Sequence, residues 1–142
     1  MIRKMQPADL EPALELWLAA NLQAHGFIDP AYWHDNLEPL RQMLPQAEVY
    51  VYAEAAESAP LALIGLEGDY IAGLFVAPEA QTQGIGKQLL DYAKILRSQL
   101  TLRVYRQNER ALNFYQREGF QITDSQIDEA TGAAEYLMHW QA

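Results

Sequence analysis

Apolar positions recur along this chain with two different spacings, and the places where the spacing changes mark out its elements. Leu10, Ala13, Leu14, Trp17 and Leu18 share one face of a helix that Asp9 is placed to cap and that ends near His25-Gly26. A second helical stripe, Trp33, Leu37, Leu40 and Leu44, opens on Asp29-Pro30 and is stopped by Pro45; Pro39 inside it predicts a kink. From Glu48 to Glu54 the pattern alternates. A polar turn over Ala55 to Pro60 leads to Leu61–Leu66, and Gly68-Asp69 turns into Tyr70–Val76, so this stretch reads as an antiparallel meander of three strands. Ile85, Leu89, Ala93 and Leu96 then define the buried face of a helix reaching about Arg97. Leu100, Leu102 and Val104 alternate as a strand, and Asn108 is placed to cap a short helix to Glu118 that Gly119 closes. Phe120–Thr123 and Glu135–Trp140 pair as a final hairpin around Thr131-Gly132. The predicted order is ααβββαβαββ, an α/β arrangement within a single domain spanning residues 1–142.

Charge and composition narrow the chemistry. The net charge of −9 disfavours nucleic acid and anionic membranes as partners, because both are bound through clustered Lys and Arg. No apolar run reaches the roughly 18 residues of a membrane span, and the start, with Arg3 and Lys4, leads into a polar helix, so a cytoplasmic location is expected. The chain has no cysteine, so it has no disulfide, thiolate nucleophile or Cys-bound metal. His25, His34 and His139 lack ligand spacing, and no metal is expected. The charge is unevenly spread: Gln81 to Phe120 carries seven basic residues and three acidic ones, a local balance of +4 that leaves −13 elsewhere. Such a division suits an anion held in one part and a cation attracted around it; an acidic solvated surface explains much of it equally well.

The chemistry-bearing stretch is Val76-Ala77-Pro78-Glu79-Ala80-Gln81-Thr82-Gln83-Gly84-Ile85-Gly86-Lys87, a strand end and glycine-containing loop that opens a helix. Backbone N–H groups and the positive helix end make such a loop a diphosphate site, with Lys87 as a charge at its rim. A Walker A loop is ruled out because Gln81 stands where its first glycine belongs and Gln88 follows Gly86-Lys87. The dinucleotide fingerprint meets Leu89 at its third glycine and follows a meander rather than a βαβ unit.

What remains resembles the acetyl-CoA loop of the GNAT superfamily of N-acetyltransferases, Q/R-x-x-G-x-G/A, carried here by Gln81, Gly84 and Gly86 after a strand ending Leu-Phe-Val-Ala-Pro. The second half of that pattern follows: a strand over Leu100–Tyr105, Asn108, Ala111-Leu112-Asn113-Phe114-Tyr115, and Glu118-Gly119-Phe120. The likeness covers nearly the whole chain, and residues around Trp17, Phe27 and Tyr115 are similar to the small bacterial members of the YiaC and YjaB type.

The resemblance implies a mostly antiparallel sheet of six to seven strands with one splayed parallel pair, flanked by about four helices. It implies acetyl-CoA as co-substrate, its pantetheine arm held by Leu74, Phe75 and Val76, its diphosphate by Gln81, Thr82, Gln83, Gly84, Ile85, Gly86 and Lys87, with Asn108 and Tyr115 beside it. Tyr115 is the expected acid for the departing thiolate, since a phenol of pKa ~10 stays protonated at neutral pH. The acceptor is an amine, with His25, Phe27, Tyr32, Trp33 and Tyr70 as candidate contacts. A protein lysine or N-terminus leads; a polyamine or amino-sugar, RNA modification, and a non-catalytic acetyl-CoA-binding module are the alternatives. Glu67 and Glu79 flank the cofactor strand as candidate bases, with a water relay or an amine already neutral equally open. Monomer and homodimer both remain open, the latter through the aromatic edge Tyr136–Trp140.

Overall fold

The alternating stretches pair into one mixed sheet. In the computed structural model, which describes residues 1–142, its strands are β1 (Ile2–Lys4), β2 (Glu48–Tyr52), β3 (Ala62–Glu67), β4 (Tyr70–Val76), β5 (Gln99–Tyr105), β6 (Gln121–Ile127) and β7 (Ala134–Gln141), in spatial order β1-β2-β3-β4-β5-β7-β6. Every neighbouring pair is antiparallel except β4 and β5. A parallel pair needs a crossover, and α4 (Ile85–Leu96) supplies it.

The remaining helices are α1 (Leu10–Ala24), α2 (Pro30–Asp35), α3 (Leu37–Met43) and α5 (Glu109–Arg117). Consecutive residues Ala62, Leu63 and Ile64 are all buried, as a strand covered on both faces requires. On one side α4 docks Ile85, Leu89, Leu90 and Ala93, and its Tyr92 ring meets Tyr50 of β2 edge to face. On the other, α1 contributes Ala13, Leu14 and Leu16 to the same core.

Several expectations need correction. The second helix, expected to run to Leu44 with a kink, is two helices that part at Asn36, so the fold has five α-helices. Pro39 has no N–H to give the Asp35 carbonyl and its ring crowds that carbonyl, so the turn before it opens. The edge strand β1 was not anticipated; three residues carry no readable period, and pairing with Tyr50–Tyr52 makes the strand. Asp9 does not cap α1 with its side chain. That carboxylate is buried, takes the Arg3 guanidinium at 2.5 Å and accepts from the Gln6 N–H at 2.8 Å, tying β1 to the helix start. Leu96 is exposed, while Leu90 takes its place in the core.

One irregularity positions the site. In β3–β4, Ile64 faces Leu74 and Gly65 faces Gly73, but Leu66 faces Ile71, so Ala72 is an extra residue and β4 bulges there. Beyond the bulge the alternation inverts. Tyr70 therefore shares the face of Gly73 and Phe75 instead of that of Leu74 and Val76.

Candidate functional site

The parallel strands meet at a single bridge, Tyr70 opposite Thr101, where the Thr101 N–H donates to the Asp69 carbonyl at 2.9 Å. Past that point β4, bent by its bulge, separates from β5, and the facing edge groups of the two strands have no strand partner. The gap is a cleft of about 350 Å³ that passes through the sheet. Its lining includes Leu102, Val104 and Tyr115 from the α5 side and Arg103, Tyr105 and Glu135 from the opposite side.

At the α5 end lies the loop after β4. None of the amide N–H groups from Thr82 to Lys87 donates to an acceptor within the protein; the first helical bond is from Gln88 to the Gly84 carbonyl, 3.1 Å. Two left-handed residues aim them, Thr82 at φ 67° and Gly84 at φ 77°, the latter at the N-cap of the 12-residue α4. A row of free donors on a positive helix end is the arrangement that receives a diphosphate. At Gly86 an added Cβ would lie 3.5 Å from Val76 Cγ2 and 3.9 Å from Phe114 Cζ, ordinary contact distances, so there is room for a methyl group and those two side chains bound the space beyond it.

Side chains around the loop are largely committed elsewhere. Gln81 Nε2 donates to Gln23 Oε1 at 2.7 Å and to the Val76 carbonyl at 3.1 Å, and its Oε1 accepts from Arg110 Nη1 at 2.8 Å. Gln81 is thus a clamp joining α1, β4 and α5. Lys87 Nζ is engaged by Glu118 at 2.9 Å and Asp91 at 3.2 Å. The basic surplus of this segment is mostly structural: Arg97 pairs with Glu48 at 2.7 Å, and Lys94 donates to the Glu118 carbonyl at 2.5 Å. Arg110, held beside the loop through Gln81, was not singled out from sequence.

At the waist of the cleft Tyr115 is buried, its ring packed edge to face between Phe114 and Phe120. Burial raises its pKa well above the ordinary phenol value, with the Tyr70 phenol adding to it. The phenol therefore stays a donor throughout the neutral range, and its hydroxyl has no protein hydrogen-bond partner.

Opposite Tyr115 the wall is aromatic. Of the expected acceptor contacts, His25, Tyr32, Trp33 and Tyr70 line the cleft; Phe27 stands behind it, edge-on to His25 and Tyr105. Leu74 and Phe75 line it as well, while Val76 packs under Gly86. Asn108 lines it and caps α5, accepting from the Ala111 N–H at 3.2 Å. Burial lowers the His25 pKa to about 4, so its ring is neutral at pH 7. Glu67 and Glu79 are exposed and do not line the cleft. The carboxylate that does is Glu135 on β7, which sequence reading left as a polar strand position. Asn21, buried in α1, was missed in the same way.

Residues 45–122 match the acetyltransferase (GNAT) domain family. Over 141 residues the chain is 38% identical to the peptidyl-lysine N-acetyltransferase YiaC of Escherichia coli, covering 99% of this chain and 96% of that one. It is 32% identical to the peptidyl-lysine N-acetyltransferase YjaB of Salmonella typhimurium, over 90% of this chain and 88% of that one. The solution structure of apo YjaB from E. coli superposes with a TM-score of 0.87 at 25% identity, covering 99% and 96% of the two chains. The PaiA N-acetyltransferase of Thermoplasma acidophilum, solved with coenzyme A, shares the fold with a TM-score of 0.82 at 20% identity, over 100% and 98%.

Proposed function

The chain belongs to the GNAT family and is an N-acetyltransferase, and from that premise we propose that it moves the acetyl group of acetyl-CoA to lysine side chains of proteins by direct attack within a ternary complex. The observation that carries the reading is the cleft itself: it runs through the sheet past the Tyr115 phenol to an aromatic chamber holding a carboxylate, and the loop of free amide donors packs beside its α5 wall, against Arg110 and Phe114.

Each part suits one requirement of the transfer. When bound, acetyl-CoA supplies an activated acyl group on a thiolate leaving group. The six amides from Thr82 to Lys87 bind its diphosphate, and the unpaired edge of β4 from Leu74 to Val76 aligns its arm as though it were another strand. Tyr115, kept protonated by burial, donates to the sulfur as charge develops there, a contribution realised only in the transition state. The acceptor nitrogen approaches from the side of Tyr32 and Tyr70 and must be unprotonated when it attacks, its ammonium proton passing to water in the cleft. The absence of cysteine removes an acetyl-cysteine intermediate, which is why direct attack is preferred. The acceptor itself is argued from YiaC and YjaB, both named for peptidyl-lysine, and from the tyrosine-walled acidic chamber, which suits a primary amine on a slim alkyl chain. We further propose that residues 1–142 act as one domain in the cytoplasm.

The test is release of free coenzyme A from acetyl-CoA in the presence of peptides with an internal lysine, a free N-terminus only, or neither, set beside spermidine. Release that requires the internal lysine supports the reading. Release with spermidine or the N-terminus alone moves the acceptor to that class, and none with any amine rejects catalysis.

A further inference from the structure

Glu135 is 6% exposed, one of three buried polar or charged residues, and the other two have complete roles: Asp9 pairs with Arg3, and Asn21 bridges His25 and the Trp17 carbonyl. Glu135 does not. Its Oε1 accepts from Gln126 Nε2 at 2.7 Å and has the half-exposed Arg103 guanidinium at 4.0 Å, too far for a hydrogen bond; its Oε2 has no protein partner. That oxygen keeps contact with the solvent in the cleft, so it is free to meet a cation that enters. The residue lines the cleft, directly across the strand pair from Tyr105 and near Tyr32 and Tyr70.

The surroundings are acidic on balance, with the half-exposed Arg103 guanidinium at their edge, 5.9 Å from the Tyr70 ring centroid. The phenol of Tyr32 has a raised pKa chiefly through burial and further through the charges of Asp128 and Glu135; that of Tyr70 is raised chiefly by burial, with Arg103 opposing and Glu135 adding to it. Asp128 is held against the wall by the Tyr105 hydroxyl, which donates to it at 2.6 Å. Three tyrosine rings and a buried carboxylate with a free oxygen form a receptor for an ammonium, which favours both the faces and the charge.

We propose that Glu135 is the specificity-determining residue of the acceptor side: its free oxygen Oε2 holds the ammonium of an unbranched primary alkylamine as it enters between Tyr32, Tyr70 and Tyr105. The proposal rests on the acetyltransferase reading for its biological meaning and on the chamber alone for its chemistry. The Glu135–ammonium contact orders the acceptor beside the waist of the cleft, so it acts on acceptor binding and leaves the diphosphate loop untouched.

The probe is n-butylammonium, which reproduces a lysine side chain, titrated against 1-butanol and n-butyrate as neutral and anionic counterparts, with amide shifts around Tyr105 and Glu135 read by NMR. The wild-type chain is expected to bind the ammonium roughly 10-fold or more tightly than the alcohol, the range of a hydrogen bond to a charged group. Glu135→Gln, which keeps the Gln126 contact, should lose that preference, raise KM for a lysine peptide by a similar factor with kcat within about three-fold, and leave acetyl-CoA affinity unchanged. Butyrate bound as tightly as butylammonium by the wild type would transfer the role to Arg103 and overturn the proposal, as would an undiminished ammonium preference in Glu135→Gln. Coenzyme A release is scored separately: an ammonium preference without release rejects the acetyltransferase reading alone, and release without the preference rejects Glu135 alone.

Discussion

His25 and Asn108 stand 83 residues apart in sequence, yet His25 Nε2 lies 3.1 Å from Asn108 Nδ2 across the mouth of the cleft. The roles of both groups follow from their other bonds. Asn108 Oδ1 accepts from the Ala111 N–H, so its Nδ2 is the donor and His25 Nε2 must accept. His25 Nδ1 then carries the hydrogen and donates to Asn21 Oδ1 at 3.0 Å, and Asn21 Nδ2 donates to the Trp17 carbonyl at 2.9 Å. This directed chain joins the end of α1 to the start of α5 and fixes one neutral tautomer.

Breaking the chain at its centre should cost stability. Asn108→Ala removes the α5 cap and strands the His25 acceptor, for an expected loss of about 1–3 kcal/mol, measured by urea unfolding. Asn113→Ala, on the exposed side of the same helix, should change stability by under ~0.5 kcal/mol. Equal losses in the two would mean that neither the cap nor the chain of bonds stabilises the fold.

The same network sets an acid response. Because the folded His25 has a pKa of about 4, below its ordinary 6.5, the unfolded chain binds the extra proton first as pH falls. Stability from this group is complete above the unfolded value and is lost as pH drops from 6.5 towards 4. Asp9 and Glu48 have depressed values, by pairing with Arg3 and by hydrogen bonds from Tyr50 and Arg97, so their contributions fade only at lower pH. Discounted for the partial exposure of the ring, the loss is on the order of 1 kcal/mol. Melting curves at pH 7 and 5 should show the drop in the wild type and a smaller one in His25→Gln; parallel pH profiles would contradict the assignment.

Tyr115→Phe isolates the phenol. The ring fills a site between Phe114 and Phe120 and its hydroxyl has no protein partner, so the variant should fold as well as the wild type. Acetyl-CoA affinity is expected to hold within about two-fold while kcat falls ~10- to 1000-fold, the range of a general acid or single transition-state donor. An unchanged kcat would remove Tyr115 from the chemistry.

How much of this was legible in the sequence depended on whether local pattern or tertiary pairing decided each feature. β4 was read to its exact ends, and Asn108 was read as a cap, because alternation and capping are local. The splayed pair and the loop came from resemblance, carried by Gln81, Gly84 and Gly86. The facing of Tyr70 was not readable: one bulged residue, Ala72, inverts it, and nothing in Tyr-Ile-Ala-Gly-Leu announces the bulge. Glu135 reads as a solvated strand position by alternation, and only Leu137 and His139 on the same face hint that this side is partly covered. Asn21 looks like a polar break in a helix; its partner His25 stands one turn on, at the C-cap of α1, and is itself held by Asn108 from a distant part of the chain.

Two glycines in the loop after β4 separate shape from flexibility. Gly84 has φ 77° and Gly86 lies within α4, so the two glycines serve different needs. An alanine at 86 meets its nearest neighbours at 3.5 and 3.9 Å, ordinary contact distances, and helix propensity favours it, so Gly86→Ala should be neutral or slightly stabilising. Gly86→Val adds two methyl groups in a space already bounded by Val76 and Phe114, so they must press on those side chains or on the bound diphosphate. Titration calorimetry with coenzyme A is expected to show at least ~10-fold weaker binding for the valine variant, the order of losing one charge-assisted backbone contact. Gly84→Ala should act differently, costing about 1 kcal/mol in stability because a left-handed conformation is forced on a residue with a Cβ. Wild-type affinity in Gly86→Val would show that the diphosphate does not approach this turn, and the loop would then have to be read as a structural cap on α4.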